Sequence, residues 1–321
     1  MSLPNVLIHS LEPEMTIDVL KQAHPDISPA ICTQDDKLSQ IVNEFKPEIV
    51  FSVRNSGGDF PRAALVESSS VKWVSNAGSG VNHLMPWDPT TVTVTNSAGV
   101  AADMMAEYAL GVMLHFALDI SGLLQDKRNK HWQPGRLVTP IQNKTLLLLG
   151  LGKTGQVLAK KAKALGMNVL GVRANPKATE FVDQVYSDSQ LNQALTLADY
   201  IVVCLPLLNS TKGLLGPNEF NQLKSGTVLI DVSRGGVVQE NALIDALQQG
   251  QLAGAGLDVF ETEPLPRDNL LWSFENVIIS PHCSSVYAGW EKVSAQLFTE
   301  NLSRWRNQQQ LENIVDQAKG Y

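Results

Sequence analysis

Cysteine is scarce in this chain, clustered basic charge is missing, and no long apolar run occurs; each shortage removes a class of protein. The three cysteines, Cys32, Cys204 and Cys283, are odd in number and far apart. That excludes a disulfide framework or a cysteine-based zinc site as the organising principle, and a reducing cytoplasm is the expected location. Cys283 follows His282 directly, but adjacent side chains usually point in different directions, so no catalytic thiolate–imidazole pair is expected there. Lys and Arg total 25 against 32 Asp and Glu, a net charge of −7. A nucleic-acid-binding face would need clustered basic residues, and no such partner is expected. No apolar stretch reaches the roughly 18 residues of a membrane span. The start, Met1 to His9, runs straight into strand-like sequence without the basic region or cleavage site of a signal peptide.

What is present is ordinary globular composition over 321 residues, enough for about two domains. The organising stretch is Lys144 to Gly155. Its apolar run Leu146 to Leu149 meets Gly150, Gly152 and Gly155, and a helical pattern follows from Gln156 to Leu165. This is G-x-G-x-x-G between a buried strand and a helix. The first glycine allows a tight turn, the second lets a pyrophosphate approach the backbone, and the third lets helix and strand pack closely. The N–H groups at the helix start, including those of Lys153 and Thr154, then face anionic phosphates.

From Leu146 onward, strand-like runs recur at 146–149, 169–172, 200–204, 227–231, 255–257 and 277–279, separated by helical or turn segments. Six strands with crossovers make a doubly wound Rossmann cofactor domain. The first hundred residues read as a smaller flavodoxin-like α/β substrate domain, with strands near 6–8, 49–53, 71–75 and 92–94 and helices over 17–23 and 38–45. Its turn Asn76 to Gly80 follows a strand end, and the N–H groups around Gly78, Ser79 and Gly80 are candidates for holding a carboxylate; a purely structural turn remains open there. A long apolar helix from Ala101 to Leu118 is expected to cross between domains and to bury a face against a second subunit in a homodimer. The stretch from Gln125 to Pro134 reads as a loop. A last helix from Val286 to about Asn307 is expected to return to the first domain. The domains are then 1–97 with 287–321, and 98–286.

The dinucleotide preference follows from the residue after the second strand of the cofactor domain. An acidic residue there takes the ribose hydroxyls of NAD, but this chain has Arg173, and no carboxylate follows until Glu180. A guanidinium makes bidentate bonds to a 2′-phosphate, so NADP(H) is expected over NAD(H).

Three polar residues lie just past strand ends in the second half: Arg234 in Ile-Asp-Val-Ser-Arg-Gly-Gly, Glu263 before Pro264, and His282 in Ser-Pro-His. On three loops at one sheet edge they can form a single acid–base site. At this point the chain resembles the D-isomer-specific 2-hydroxyacid dehydrogenases. The resemblance rests on the glycine turn, on 232–238, on Gly254-Ala-Gly-Leu-Asp-Val-Phe-Glu-Thr-Glu-Pro264 and on Ser280-Pro-His282, with Asn96-Ser-Ala-Gly-Val and Ala106-Glu-Tyr-Ala-Leu at the entry to the cofactor domain.

That resemblance implies roles. Arg234 would bind the substrate carboxylate and polarise the 2-oxo group. His282 would be the general acid/base, with Glu263 hydrogen-bonded to its imidazole; a carboxylate in that place favours the imidazolium. Asp258 would hold the nicotinamide carboxamide, Pro206 and Ser233 would join the cofactor contacts, and the amides of Gly78 to Gly80 would take the substrate carboxylate. The implied activity is reduction of a small 2-oxo acid, of glyoxylate or hydroxypyruvate type, to the D-2-hydroxy acid. Two other readings stay open: an NADH-linked dehydrogenase of another D-2-hydroxy acid, and a non-enzymatic dinucleotide sensor like the family's corepressors. The chain also departs from the family's habits, with Asp231 where Asn is common, Ala102 where Thr is common and Asn82 where Asp is common.

Overall fold

The four leucines Leu146 to Leu149 are completely buried because both faces of their strand are covered. Leu147 and Leu149 enter one apolar core, and Leu146 and Leu148 enter another on the opposite side of the sheet. A strand of a parallel sheet covered on both faces reads as a continuous apolar run rather than an alternating one, which is the pattern seen here. The structure, a computed structural model, describes residues 3–54 and 60–319. The chain divides into two units, Ala101–Val286 and Met1–Val100 with Tyr287–Tyr321.

In the first unit, strands β1 (Val6–His9), β2 (Ala30–Cys32), β3 (Ile49–Ser52), β4 (Trp73–Asn76) and β5 (Thr93–Asn96) form a parallel sheet in the order β2-β1-β3-β4-β5, the flavodoxin-like arrangement. Helices α1 (Glu14–Ala23), α2 (Asp35–Phe45) and α3 (Arg62–Val66) connect them. The C-terminal helix α10 (Trp290–Arg306) belongs to this unit and packs on α1. Its Phe298 is wholly buried and sits 5.0 Å from the Phe51 ring and 5.4 Å from Trp73. The discontinuity of the chain is therefore closed by an aromatic cluster.

The second unit begins with α4 (Ala102–Ala117) and α5 (Ile120–Asn129). Seven parallel strands follow: β6 (Thr145–Leu149), β7 (Asn168–Val172), β8 (Gln184–Tyr186), β9 (Tyr200–Val203), β10 (Thr227–Asp231), β11 (Leu252–Leu257) and β12 (Val277–Ile279). Helices α6 (Lys153–Ala164), α7 (Leu191–Leu195), α8 (Pro217–Phe220) and α9 (Glu240–Gln248) lie between them. The strand order is β12-β11-β10-β9-β6-β7-β8, so the winding direction reverses between β6 and β9. In such sheets the crevice at the carboxyl ends of those two strands is where ligands sit. The glycine turn leaves β6 at that point.

Local structure differs from the sequence reading in three places. β8 was not anticipated, and neither was β2; both are three-residue edge strands, too short to show a period. The segment from Gln125 to Asn129 is helical, not a loop, because α5 runs through it. Asp119 starts that helix by accepting a bond from the Gly122 N–H, and Arg136 ties back to Asp119 and Asp126. α5 has no buried residue, so no apolar stripe announced it.

Among the described residues, no single helix is long and apolar enough to cross a membrane.

Candidate active site

The glycine turn meets three separate demands. Gly150 has φ +105°, and a Cβ there would lie 2.7 Å from the Cys204 carbonyl oxygen. A Cβ on Gly155 would lie 2.2 Å from the Gly150 carbonyl oxygen, so any larger residue would force α6 away from the turn. Gly152 is different: nothing lies within 4 Å of its would-be Cβ. The space over Gly152 is thus open on the side where a ligand would approach the backbone. Gly152 also serves as N-cap of α6 with no side chain to cap it, which leaves the first N–H groups of Lys153, Thr154 and Gly155 for an anion. These features fit a dinucleotide pyrophosphate.

Arg173 follows β7, beside the glycine turn; the Gly150 N–H donates to the Val172 carbonyl. The Arg173 backbone N–H bonds to the Tyr186 carbonyl, while its guanidinium has no hydrogen-bond partner among the described residues. Pro206 lies in the loop after β9, where its carbonyl accepts from the Thr211 hydroxyl at 2.6 Å.

At the other side of the switch point, β10 runs out into Asp231, Ser233 and Arg234. Asp231 is buried, and its Oδ1 accepts from the Ser233 N–H at 2.9 Å and the Ser233 hydroxyl at 2.5 Å. This local turn fixes the backbone from which Arg234 projects. The Arg234 guanidinium donates to the Ser233 carbonyl at 2.6 Å. Burial lowers its pKa from the ordinary value, opposed by the carboxylates of Glu263, Asp231 and Asp258. Gly235 brings the next loop against it, since a Cβ there would fall 1.7 Å from the Phe260 carbonyl oxygen. Only a glycine allows the loops after β10 and β11 to touch through their backbones.

Glu263 and His282 form a pair. Glu263 Oε2 lies 2.8 Å from His282 Nδ1, and its Oε1 accepts from the Phe260 N–H at 3.1 Å. A carboxylate can only accept there, so Nδ1 carries a proton and the ring presents Nε2, which no described residue engages. His282 has φ +52°, a left-handed conformation uncommon outside Gly, Asn and Asp. It is held by its own N–H, which donates to the carbonyls of Asp258 and Ser280 at 2.9 and 3.0 Å.

Asp258 is buried and already occupied. Its Oδ1 accepts from the Ser280 hydroxyl at 2.5 Å, the Cys283 N–H at 2.8 Å and the Ser284 N–H at 3.1 Å, and its Oδ2 accepts from the Ser284 N–H at 3.0 Å. This grip on the histidine loop is made by one hydroxyl, that of Ser280, and by backbone N–H groups, so the sequence carries no pattern that announces it. Cys283 is largely exposed; partial desolvation of its sulfur and the Asp258 carboxylate push its thiol up, away from thiolate chemistry.

Gly78, Ser79 and Gly80 lie in the other unit, in the turn after β4. Asn76 Nδ2 donates to the carbonyls of Gly78 and Gly80, and Asn96 Nδ2 donates to that of Ser79. With the carbonyls tied back, the N–H groups of Gly78 to Gly80 donate to no described residue.

The Asp231 carboxyl is pushed up to about 7, mainly by burial and further by Asp258, against the Ser233 bonds and Arg234, which lower it. The folded state therefore holds this proton up to about pH 7, whereas an unfolded Asp releases it near 3.9. Stability should fall as pH rises through that window, by at most about 1.4 kcal/mol per pH unit, and level off above it. Asp231→Asn keeps the acceptor oxygen and removes the titration. Its melting temperature should gain on the parent between pH 4.5 and 7; parallel curves would contradict the assignment.

A glycine turn at the switch point, with a carboxylate-braced imidazole and a part-buried guanidinium at the same sheet edge, marks the class of dinucleotide-binding proteins. The sequence model described as "D-isomer specific 2-hydroxyacid dehydrogenase, NAD binding domain" matches residues 110–284, and the chain belongs to that family. A glyoxylate reductase from Thermococcus litoralis is 34% identical over 235 residues, covering 70% of each chain. A D-3-phosphoglycerate dehydrogenase from Methanocaldococcus jannaschii is 29% identical over 86% of this chain but only 53% of its own length; the present chain spans about half of it. The crystal structure of a D-isomer specific 2-hydroxyacid dehydrogenase from Xanthobacter autotrophicus, in complex with NADPH and MES, is 29% identical, with a TM-score of 0.86 over the whole of both chains. A nicotinamide dinucleotide is the cofactor class of the family.

Proposed function

We propose that the protein reduces a small 2-oxo acid, of glyoxylate or hydroxypyruvate type, to the D-2-hydroxy acid, with NADPH preferred over NADH. The observation that carries this reading is the 2.8 Å contact between His282 Nδ1 and Glu263. It occupies Nδ1 and leaves Nε2 unengaged among the described residues; in the imidazolium form Nε2 carries the proton that is given up. When bound, the nicotinamide supplies the hydride. Arg234 binds the substrate carboxylate and draws electron density from the 2-oxo group. His282 delivers its Nε2 proton to the carbonyl oxygen as the alkoxide develops, and Glu263 keeps the ring oriented and offsets the imidazolium charge. Asp258 would hold the carboxamide of the cofactor with whatever acceptor capacity its own loop leaves, Ser233 and Pro206 would be cofactor contacts, and the Gly78–Gly80 amides, in their own unit, would be donors for a carboxylate.

The cofactor preference rests on Arg173, whose guanidinium is unengaged among the described residues, and is supported by the NADPH bound to the Xanthobacter autotrophicus relative. Loss of NADPH absorbance with a panel of 2-oxo acids tests the activity. The expected kcat/KM is about 10- to 100-fold higher with NADPH than with NADH, the worth of one or more charge-assisted bonds. Equal efficiency with the two would overturn the preference, and no turnover on a wide panel would favour a dinucleotide sensor.

The protein is a homodimer in this reading. Trp132 and Leu137 are 89% and 94% exposed, and Leu118, Leu123, Leu124 and Val138 add to the same segment. Arg136 pins the loop that carries Trp132, Leu137 and Val138 to α5 through Asp119 and Asp126, so the apolar side chains of helix and loop are displayed from one anchored segment, and a second copy of the chain is the occupant. Light scattering should give twice the chain mass; a monomer mass would remove this part of the reading.

A further inference from the structure

Helix α4 touches both halves of the proposed chemistry. Met105 and Tyr108, one turn apart on the same face, reach in two directions. The Thr154 hydroxyl of the glycine-turn helix lies 3.8 Å from Met105 Sδ. The Tyr108 hydroxyl lies 2.8 Å from the Ser280 hydroxyl, and Ser280 stands two residues before His282.

The direction of these bonds follows from counting protons. Asp258 accepts from Ser280 at 2.5 Å, and a carboxylate has nothing to donate, so Ser280 spends its only hydroxyl proton there. Ser280 must then accept from Tyr108. Burial pushes the Tyr108 phenol pKa up, so the tyrosine stays a donor. The chain of bonds is Tyr108 to Ser280 to Asp258. The same Asp258 carboxylate receives the N–H groups of Cys283 and Ser284, the two residues after His282. The histidine is thereby gripped on both sides while its own backbone sits at φ +52°, a conformation that needs support from its surroundings.

We propose that Tyr108 and Ser280 are positioning residues that hold the His282 loop, through Asp258, in the geometry its proton transfer needs. This inference rests on the reading of His282 as the general acid. Neither residue touches the reacting atoms; both act through the loop. Misplacing a catalytic group by an ångström costs on the order of 100-fold, and losing one hydroxyl from the chain should cost a fraction of that.

The test is a double-mutant cycle with a spectroscopic arm. Ser280→Ala, which removes a charge-assisted bond to Asp258, should lower kcat about 10-fold, and Tyr108→Phe, which removes one neutral bond, about 5-fold. The KM for the 2-oxo acid should stay within about 2-fold, since Arg234 is untouched, and Ser280→Thr, which keeps the hydroxyl, should restore kcat. Because Tyr108 acts through Ser280, the double variant should be no slower than Ser280→Ala alone. Losses that multiply, a loss carried by KM instead of kcat, or no rescue by threonine would overturn the proposal. In protein labelled with 13C-histidine, the His282 Cε1 resonance, identified by its disappearance in His282→Asn, should move in Ser280→Ala and Tyr108→Phe and keep its place in Ser280→Thr. An unmoved resonance in both would also overturn it. The resonance can be read without any substrate, so a parent protein that turns over no 2-oxo acid would refute the proposed function while the placement of His282 is still decided.

Discussion

Replacing His282 by Asn should lower kcat by roughly 100- to 10,000-fold, the usual contribution of a positioned general acid, while NADPH affinity stays within about 2-fold. Asn is the informative substitution for two reasons visible in the structure. It tolerates the left-handed backbone that His282 occupies at φ +52° better than Ala does, and its amide can still donate to Glu263, which now lies 2.8 Å from Nδ1. What Asn lacks is the second nitrogen. The loss should appear in kcat and kcat/KM alike, as expected of an interaction realised in the transition state, and isothermal titration with NADPH should show an intact cofactor site. Turnover within a few-fold of the parent would remove His282 from the chemistry and with it the role given to Glu263.

The second large effect is expected at Arg234. Arg234→Gln should reduce kcat/KM for the 2-oxo acid by roughly 100- to 10,000-fold. Two charge-assisted bonds to a carboxylate contribute about 1.5–3 kcal/mol each, and 1.4 kcal/mol is a factor of ten. Part of the loss should be in KM, because the carboxylate is bound in the ground state, and part in kcat, because the guanidinium also polarises the carbonyl. Arg234→Lys should recover little, since a point charge cannot reproduce the planar fork. Arg234→Gln also leaves Asp231, Asp258 and Glu263 without the cation that interacts with all three, so its melting temperature should fall. A variant with parental KM and kcat would show that the carboxylate is bound elsewhere.

Much of the architecture was legible because its signals are local. Leu146 to Leu149 announced a strand covered on two faces, and Gly150, Gly152 and Gly155 announced a turn whose three glycines meet three separate requirements. The strands with four or more buried residues were visible as apolar runs, β-branched in β9 and β10 and leucine-rich in β6. β2 and β8 were not, being three residues long and at sheet edges, and α5 was not, because its stability comes from Asp119, Asp126 and Arg136 and from no apolar face. Of the candidate site, the pairing of Glu263 with His282 was readable from motif context. The Tyr108–Ser280–Asp258 chain was not, because it joins residues 172 positions apart through hydroxyl groups that carry no pattern in sequence. The raised Asp231 carboxyl is likewise a product of burial next to a second carboxylate, which only the folded chain brings about.

In the proposed reaction the cofactor's hydride goes to the carbon, and the His282 proton to the oxygen, of a 2-oxo group. The most direct measurement is the fate of the label from [4-2H]NADPH, carrying deuterium on the transferred face, with hydroxypyruvate as substrate. The expected product is a 2-hydroxy acid of D configuration with one deuterium on C2, formed by the parent protein and lost with His282→Asn. Unlabelled product, product of L configuration, or no product from any 2-oxo acid tested would contradict it.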